Sequence, residues 1–135
     1  MGDLSKDFSK SEFICRCCGE VTVSAVLVAA LQQLRDLAGR PISILSGYRC
    51  PDHNRKVGGT RFSQHLLGTA ADLVIPGLTP REVYDLALQV PAFRDGGIGL
   101  YPREQFIHLD VRPTGPKRWA RIEGRYVDIE EALTT

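Results

Sequence analysis

Two polar clusters set inside apolar stretches constrain this chain more than any other feature. One is Ser63-Gln-His65-Leu-Leu-Gly68-Thr-Ala70-Ala-Asp72, and the other is Phe106-Ile-His108-Leu-Asp110. Together they offer two imidazoles and a carboxylate. Three protein ligands with a fourth position left open is the donor set of a hydrolytic zinc, whereas four protein ligands make a structural staple. A fold that uses them so must bring both clusters to one place. The spacing from His65 to Asp72 is not the i,i+4 step of a single helical face. Gly68 breaks the segment, and Ala71 to Ile75 reads as a short buried strand. His65 is therefore expected on a loop or turn, and Asp72 at the start of the strand it leads into.

The second cluster also reads as a strand, Phe106 to Val111. A period of two puts Phe106, His108 and Asp110 on one face and Ile107, Leu109 and Val111 on the other. A His-Asp face opposite a fully aliphatic one is unusual for a core strand. The residues alone leave two readings open. A histidine on a strand is commonly a satisfied structural residue, and an aspartate at a strand start is commonly a turn former. A buried carboxylate without a partner is costly, however, and a metal is one way to offset that cost.

Ser24 is expected to cap a helix running to about Ala38, with Leu27, Ala30, Leu31, Leu34 and Ala38 as its apolar stripe and Gly39 as its stop. Thr79, Pro80 and Glu82 form a cap, a first helical position and a capping-box acid for a helix to about Gln89. Ser9 to Phe13 reads as a helical turn, and Asp128 to about Leu133 as a short terminal helix. Strands are expected at Ile42–Leu45, Gly97–Tyr101 and Arg118–Ile122. Short connections near the C-terminus favour an antiparallel sheet packed by helices, an α+β fold. No linker or repeat interrupts the 135 residues, so one domain over 1–135 is expected, with its core at about 8–122. The 17 basic and 16 acidic residues give a net charge of +1, which supplies no case for nucleic acid or membrane as a partner. The stretch MGDLSKDFSKSEF lacks the apolar core of a secretion signal. Cytoplasmic synthesis is expected, with release or association with a phage as the route to any extracellular substrate. A monomer is expected.

These residues carry a family resemblance. Ser46-Gly-Tyr-Arg49-Cys-Pro51-Asp-His-Asn54-Arg-Lys-Val-Gly58-Gly59 is followed by Ser63-Gln-His65 through Asp72, by Gly96-Gly-Ile-Gly99-Leu-Tyr101-Pro102, and by Phe106-Ile-His108-Leu-Asp110. This order resembles the zinc D-Ala-D-Ala carboxypeptidase family, which belongs with the lysostaphin-type and hedgehog-like zinc peptidases. The likeness runs from about Phe8 to Trp119. It implies an α+β domain and one catalytic Zn2+ held by His65, Asp72 and His108. It also implies cleavage of peptide bonds in peptidoglycan stem peptides, at a terminal D-Ala or at a cross-link. The hedgehog-like relatives imply an alternative, a zinc-binding cell-wall or phage-particle module without catalysis.

One departure favours that alternative. Many members carry an acidic base three residues before the last histidine ligand, and here that position is Gln105, whose amide cannot accept a proton from water. Asp110, on the His108 face, and Glu104, which needs a bend to reach it, are the candidates for proton transfer or for orienting a ligand. Arg49 resembles the family's electrostatic stabiliser; its alternative is pairing with Asp52 or Asp72. Ser63 is a candidate substrate contact or a turn hydroxyl. Tyr101 and Trp119 are candidates for lining a substrate groove or for packing. His53, in Pro51-Asp-His-Asn54, reads as part of a turn, and Gly58-Gly59 and Gly96-Gly97 as tight turns. Cys15, Cys17, Cys18 and Cys50 are read as free thiols, with a disulfide or a second metal as the alternatives.

Overall fold

The computed structural model describes residues 2–60 and 63–133, so the expected domain limits at 1 and 135 lie outside it. Six strands form one sheet in the order β1-β2-β4-β3-β5-β6: β1 (Ser43–Ser46), β2 (Ala70–Val74), β3 (Gly97–Tyr101), β4 (Phe106–Asp110), β5 (Lys117–Ile122) and β6 (Arg125–Val127). Five α-helices accompany it: α1 (Ala25–Ala38), α2 (Pro51–Lys56), α3 (Pro80–Ala87), α4 (Pro91–Arg94) and α5 (Ile129–Leu133). The α+β expectation holds.

The local signals act where they were read. The Ser24 hydroxyl accepts the amides of Val26 and Leu27, and Gly39 closes α1 in the left-handed region at φ 64°. Thr79 and Glu82 cap α3 reciprocally, although α3 stops at Ala87 instead of near Gln89. Pro91 then opens α4, which was not anticipated.

The aliphatic face of β4 meets the helices. Ile107 and Leu109 join Leu73, Ile98 and Leu100 of the neighbouring strands, Leu27, Leu31 and Leu34 of α1, Val83 of α3 and Phe93 of α4 in one buried cluster. Phe8 and Phe13, before α1, are equally buried and extend it. Each such side chain contributes about 1.5–3 kcal/mol by leaving water.

The sheet departs from the expected antiparallel pattern at one joint. β1–β2, β2–β4, β3–β4 and β5–β6 pair antiparallel, but β5 lies parallel to β3. β4 already occupies one edge of β3, so the returning chain adds β5 to the other edge, in the direction of β3. One other reading needs correction. Pro51–Lys56 is the helix α2, not a turn. Gly97 begins β3, as the strand reading over Gly97–Tyr101 expected.

Candidate metal centre

Register sets the site. Asp72 on β2 pairs with His108 on β4, His108 pairs with Gly99 on β3, and Gly99 pairs with Trp119 on β5. Asp72, His108 and Trp119 thus share one row on the face opposite the core. Gly99 is the gap in that row. A Cβ there would collide with the Trp119 indole, which lies with its ring centroid 5.0 Å from that of His108.

His65 reaches this row from the 3-10 turn Gln64–Leu67. The Ser63 hydroxyl accepts the His65 amide, and Gly68 ends the turn at φ 72°. The Arg49 amide donates to the His65 carbonyl at 3.1 Å. These contacts hold His65 beside the β2–β4 pair.

Three donor atoms converge there. His65 Nε2 lies 3.2 Å from Asp72 Oδ1, and His108 Nδ1 lies 3.1 Å from the same oxygen. All three residues are buried. The outer ring nitrogens fix the tautomers. His65 Nδ1 meets the Gly47 carbonyl at 2.7 Å, and a carbonyl only accepts, so Nδ1 carries the proton. His108 Nε2 meets Asp110 Oδ2 at 2.7 Å and donates to it. Each neutral ring therefore turns a lone pair toward Asp72 Oδ1, which is itself an acceptor. Three acceptors facing one another repel unless a cation sits among them. The two spacings to Asp72 Oδ1 are close to the roughly 3.3 Å between donors of a tetrahedral zinc with bonds near 2.0–2.1 Å. Outer-nitrogen bonds of this kind are the usual supports of metal-bound histidines. The donor set fits zinc.

Without a metal ion, protonation of the rings supplies the cation. Burial opposes ionisation of Asp72, but the facing imidazoles of His65 and His108 outweigh it and hold the carboxyl well below the usual range. Burial likewise disfavours a charged His108, yet the carboxylates of Asp110 and Asp72 prevail and raise its pKa. Asp72 Oδ2 accepts from Arg49 Nη2 at 3.0 Å. Arg49 is held in turn by Ser46 Oγ at 3.2 Å and by Asn54 Oδ1 at 3.3 Å. Of the two partners considered for Arg49, the structure gives Asp72; Asp52 instead pairs with Arg55.

Asp110 shares the His108 face but is fully buried and fully engaged. Oδ1 accepts the Gly97 amide at 2.8 Å, the Arg112 amide at 3.1 Å and Arg112 Nε at 2.9 Å. Oδ2 accepts His108 Nε2 and, at 2.7 Å, Arg112 Nη2. Burial resists its ionisation, but Arg112 and His108 overcome this and depress its pKa. Glu104 is exposed in the turn between β3 and β4, beside Gln105, whose φ is 60°.

A cavity of about 610 Å³ opens over the metal-ligand row. Arg49, Ser63, Tyr101, Arg112, Lys117 and Trp119 are among its walls. Glu104 and Asp110 do not line it, and Asp72 is its one carboxylate among the described residues. Tyr101 stacks on Phe106 with centroids 4.3 Å apart, and its hydroxyl accepts Trp119 Nε1 at 3.2 Å. Burial pushes the Tyr101 phenol up to about 12, so it stays protonated. Arg112 and Lys117 lie over the Trp119 ring at 5.5 and 5.7 Å.

Four contributors were not read from the sequence. Arg112 continues the alternation His108, Asp110, Arg112, so strand parity pointed to it. Asn54 was hidden by reading its helix as a turn. The Gly47 carbonyl left no side-chain signal. Lys117 opens a strand that was read as starting one residue later.

A sheet that presents Asp72 and His108 at the floor of an open cavity, joined there by His65 from a 3-10 turn and with each ring braced from behind, defines a metallopeptidase-like centre. Residues 6–110 match the peptidase M15 family, and the chain belongs to that family of zinc D-Ala-D-Ala carboxypeptidase-like proteins. It is 37% identical over 95 residues to the peptidoglycan L,D-endopeptidase MepK of Escherichia coli (strain K12), a match covering 65% of this chain and 49% of that protein. It is 34% identical over 87 residues to the probable peptidoglycan L,D-endopeptidase MepK of Haemophilus influenzae, covering 61% of this chain and 44% of the relative. The chain thus spans about half the length of the curated relatives it matches.

Proposed function

We propose that this protein is a zinc-dependent peptidase acting on peptidoglycan stem peptides, and that it cuts within a cross-link in preference to trimming a terminal D-Ala. The convergence of His65 Nε2, Asp72 Oδ1 and His108 Nδ1 at the cavity floor carries the reading. The endopeptidase preference rests on the names of the relatives. Bound zinc would lower the pKa of a water and polarise the scissile carbonyl.

The residues of the chain supply the rest. Gly47 and Asp110 hold the two imidazoles in the tautomers that offer lone pairs. Arg49 fixes Asp72 and lines the cavity. Its three hydrogen bonds leave N–H donors over from the five of a guanidinium, available to an oxyanion. Arg112 and Lys117 make the far wall cationic, which suits the carboxylates of stem peptides. Ser63 and Tyr101, both in the cavity wall, are the substrate contacts. Asp110 acts through His108, because its own oxygens are taken. The remaining candidate carboxylate for proton transfer is Glu104, exposed in the β3–β4 turn outside the cavity lining.

The absence of a free carboxylate among the described lining residues favours a second reading, a zinc-binding module that docks on cell wall without cutting it. Digestion of purified peptidoglycan by the zinc-loaded protein, read by mass spectrometry, separates the two. Fragments with new amine termini support the endopeptidase, and free D-Ala supports a carboxypeptidase. Binding to the polymer with no fragment released establishes the module.

A further inference from the structure

The cysteines form a second constellation, outside the lining of the cavity. The Sγ atoms of Cys15, Cys18 and Cys50 lie within 4.8 Å of one another, and no disulfide joins them. Cys15 and Cys18 have the C-x-x-C spacing of a zinc knuckle. Their backbone has the corresponding tight form. Gly19 follows at φ 75°, its amide donates to the Cys15 carbonyl at 2.8 Å, and the Cys15 amide donates to the Glu20 carbonyl at 2.7 Å. Backbone donors converge on the sulfurs. Cys15 Sγ accepts the Cys50 amide at 3.4 Å, and Cys50 Sγ accepts the His53 amide at 3.4 Å. Such donors favour the thiolate of Cys15, and the thiolate is the metal ligand. Cys17, exposed and next to Cys18, is the remaining sulfur and lies outside the three-sulfur group.

We propose that Cys15, Cys18 and Cys50, with Cys17 as the fourth ligand, bind a structural zinc ion distinct from the His65-Asp72-His108 centre. With Cys17 bound the site would be closed, leaving no position for substrate. Its place in the fold gives it a task. Cys50 caps α2 immediately after Arg49, and the Phe13 carbonyl, two residues before Cys15, accepts the Tyr48 amide at 2.9 Å. The ion therefore pins the N-terminal arm to Gly47–Cys50, the segment that braces His65 through Gly47 and Asp72 through Arg49. A disulfide would use two of these sulfurs and leave the others unpartnered.

The test uses the full chain carrying His65→Ala and His108→Ala, which removes the other centre, loaded with cobalt. The expected result is about one cobalt per chain with a near-ultraviolet thiolate-to-metal band of a tetrahedral site. Cys15→Ser or Cys50→Ser abolishes the band, Cys17→Ser diminishes and shifts it, and His53→Ala leaves it unchanged. Absence of the band overturns the proposal, as does a disulfide between any two of these cysteines in protein purified under reducing conditions. Because a serine variant can fail to fold, a second measurement uses the unsubstituted, zinc-loaded protein. Its thiols should label at least about tenfold more slowly than after chelation, and equal rates overturn the proposal. Neither readout depends on peptidase activity, so failure here leaves the peptidase reading standing.

Discussion

At the scale of single residues, the account turns on which carboxylate does what. Asp110 holds His108 from behind and makes five hydrogen bonds to do so. Replacing it by Asn removes the charge that orients the ring. Asp110→Asn is expected to weaken zinc binding by roughly 10- to 100-fold, the range seen for supports of this kind, in a competition titration. Undiminished affinity with lost turnover would instead put Asp110 in proton transfer. Glu104→Gln should leave zinc content unchanged and lower turnover by about 100-fold or more, the scale of lost acid–base catalysis. Full turnover in that variant removes Glu104 from the mechanism. The ligands were legible in the sequence because period-two alternation and the family motif both point to them. The bracing was legible only in part: the shared strand face marked Asp110 as able to orient His108, but Gly47 acts through a carbonyl, and the partners that saturate Asp110 come from β3 and the end of β4.

At the scale of elements, glycine fixes how closely β3 approaches its neighbours. A Cβ at Gly97 would run into the Asp110 carboxylate. Gly97→Ala is expected to destabilise the fold by about 1–3 kcal/mol, the usual cost of overpacking, measured by urea unfolding of the metal-free protein. A change within a few tenths of a kcal/mol would show that Asp110 can shift freely. Helix caps were readable because each is a local bargain between a side chain and nearby amides, as at Ser24 and Thr79. The parallel β3–β5 joint was not, because it follows from which edge of β3 is already filled, a matter of tertiary order. Nor was α2: Pro51-Asp-His-Asn54 has the composition of a turn. Its helix is held by the Cys50 cap and by the contact of Asn54 with Arg49.

At the scale of the whole molecule, pH should act oppositely on the metal-free and metal-loaded forms. His108 has a raised pKa in the folded metal-free protein. Its contribution to stability is fully present below the unfolded value of about 6.5 and is lost as pH rises through the folded value. Asp72 and Asp110 have depressed values, so theirs is present above the unfolded value of about 3.9 and is lost as pH falls further. Thermal melting of metal-free protein should therefore decline from about pH 6 toward alkaline pH. Zinc, which takes the deprotonated ring, should reverse that slope. Parallel slopes would mean that the ion does not meet His108. The central claim, that three lone pairs converge to hold a cation, is tested most directly by anomalous diffraction at the zinc edge from crystals of the zinc-loaded protein. The account predicts a peak about 2.0–2.2 Å from His65 Nε2, Asp72 Oδ1 and His108 Nδ1 alike. Density for zinc only among the cysteines, or none at the His-Asp-His row, would contradict it.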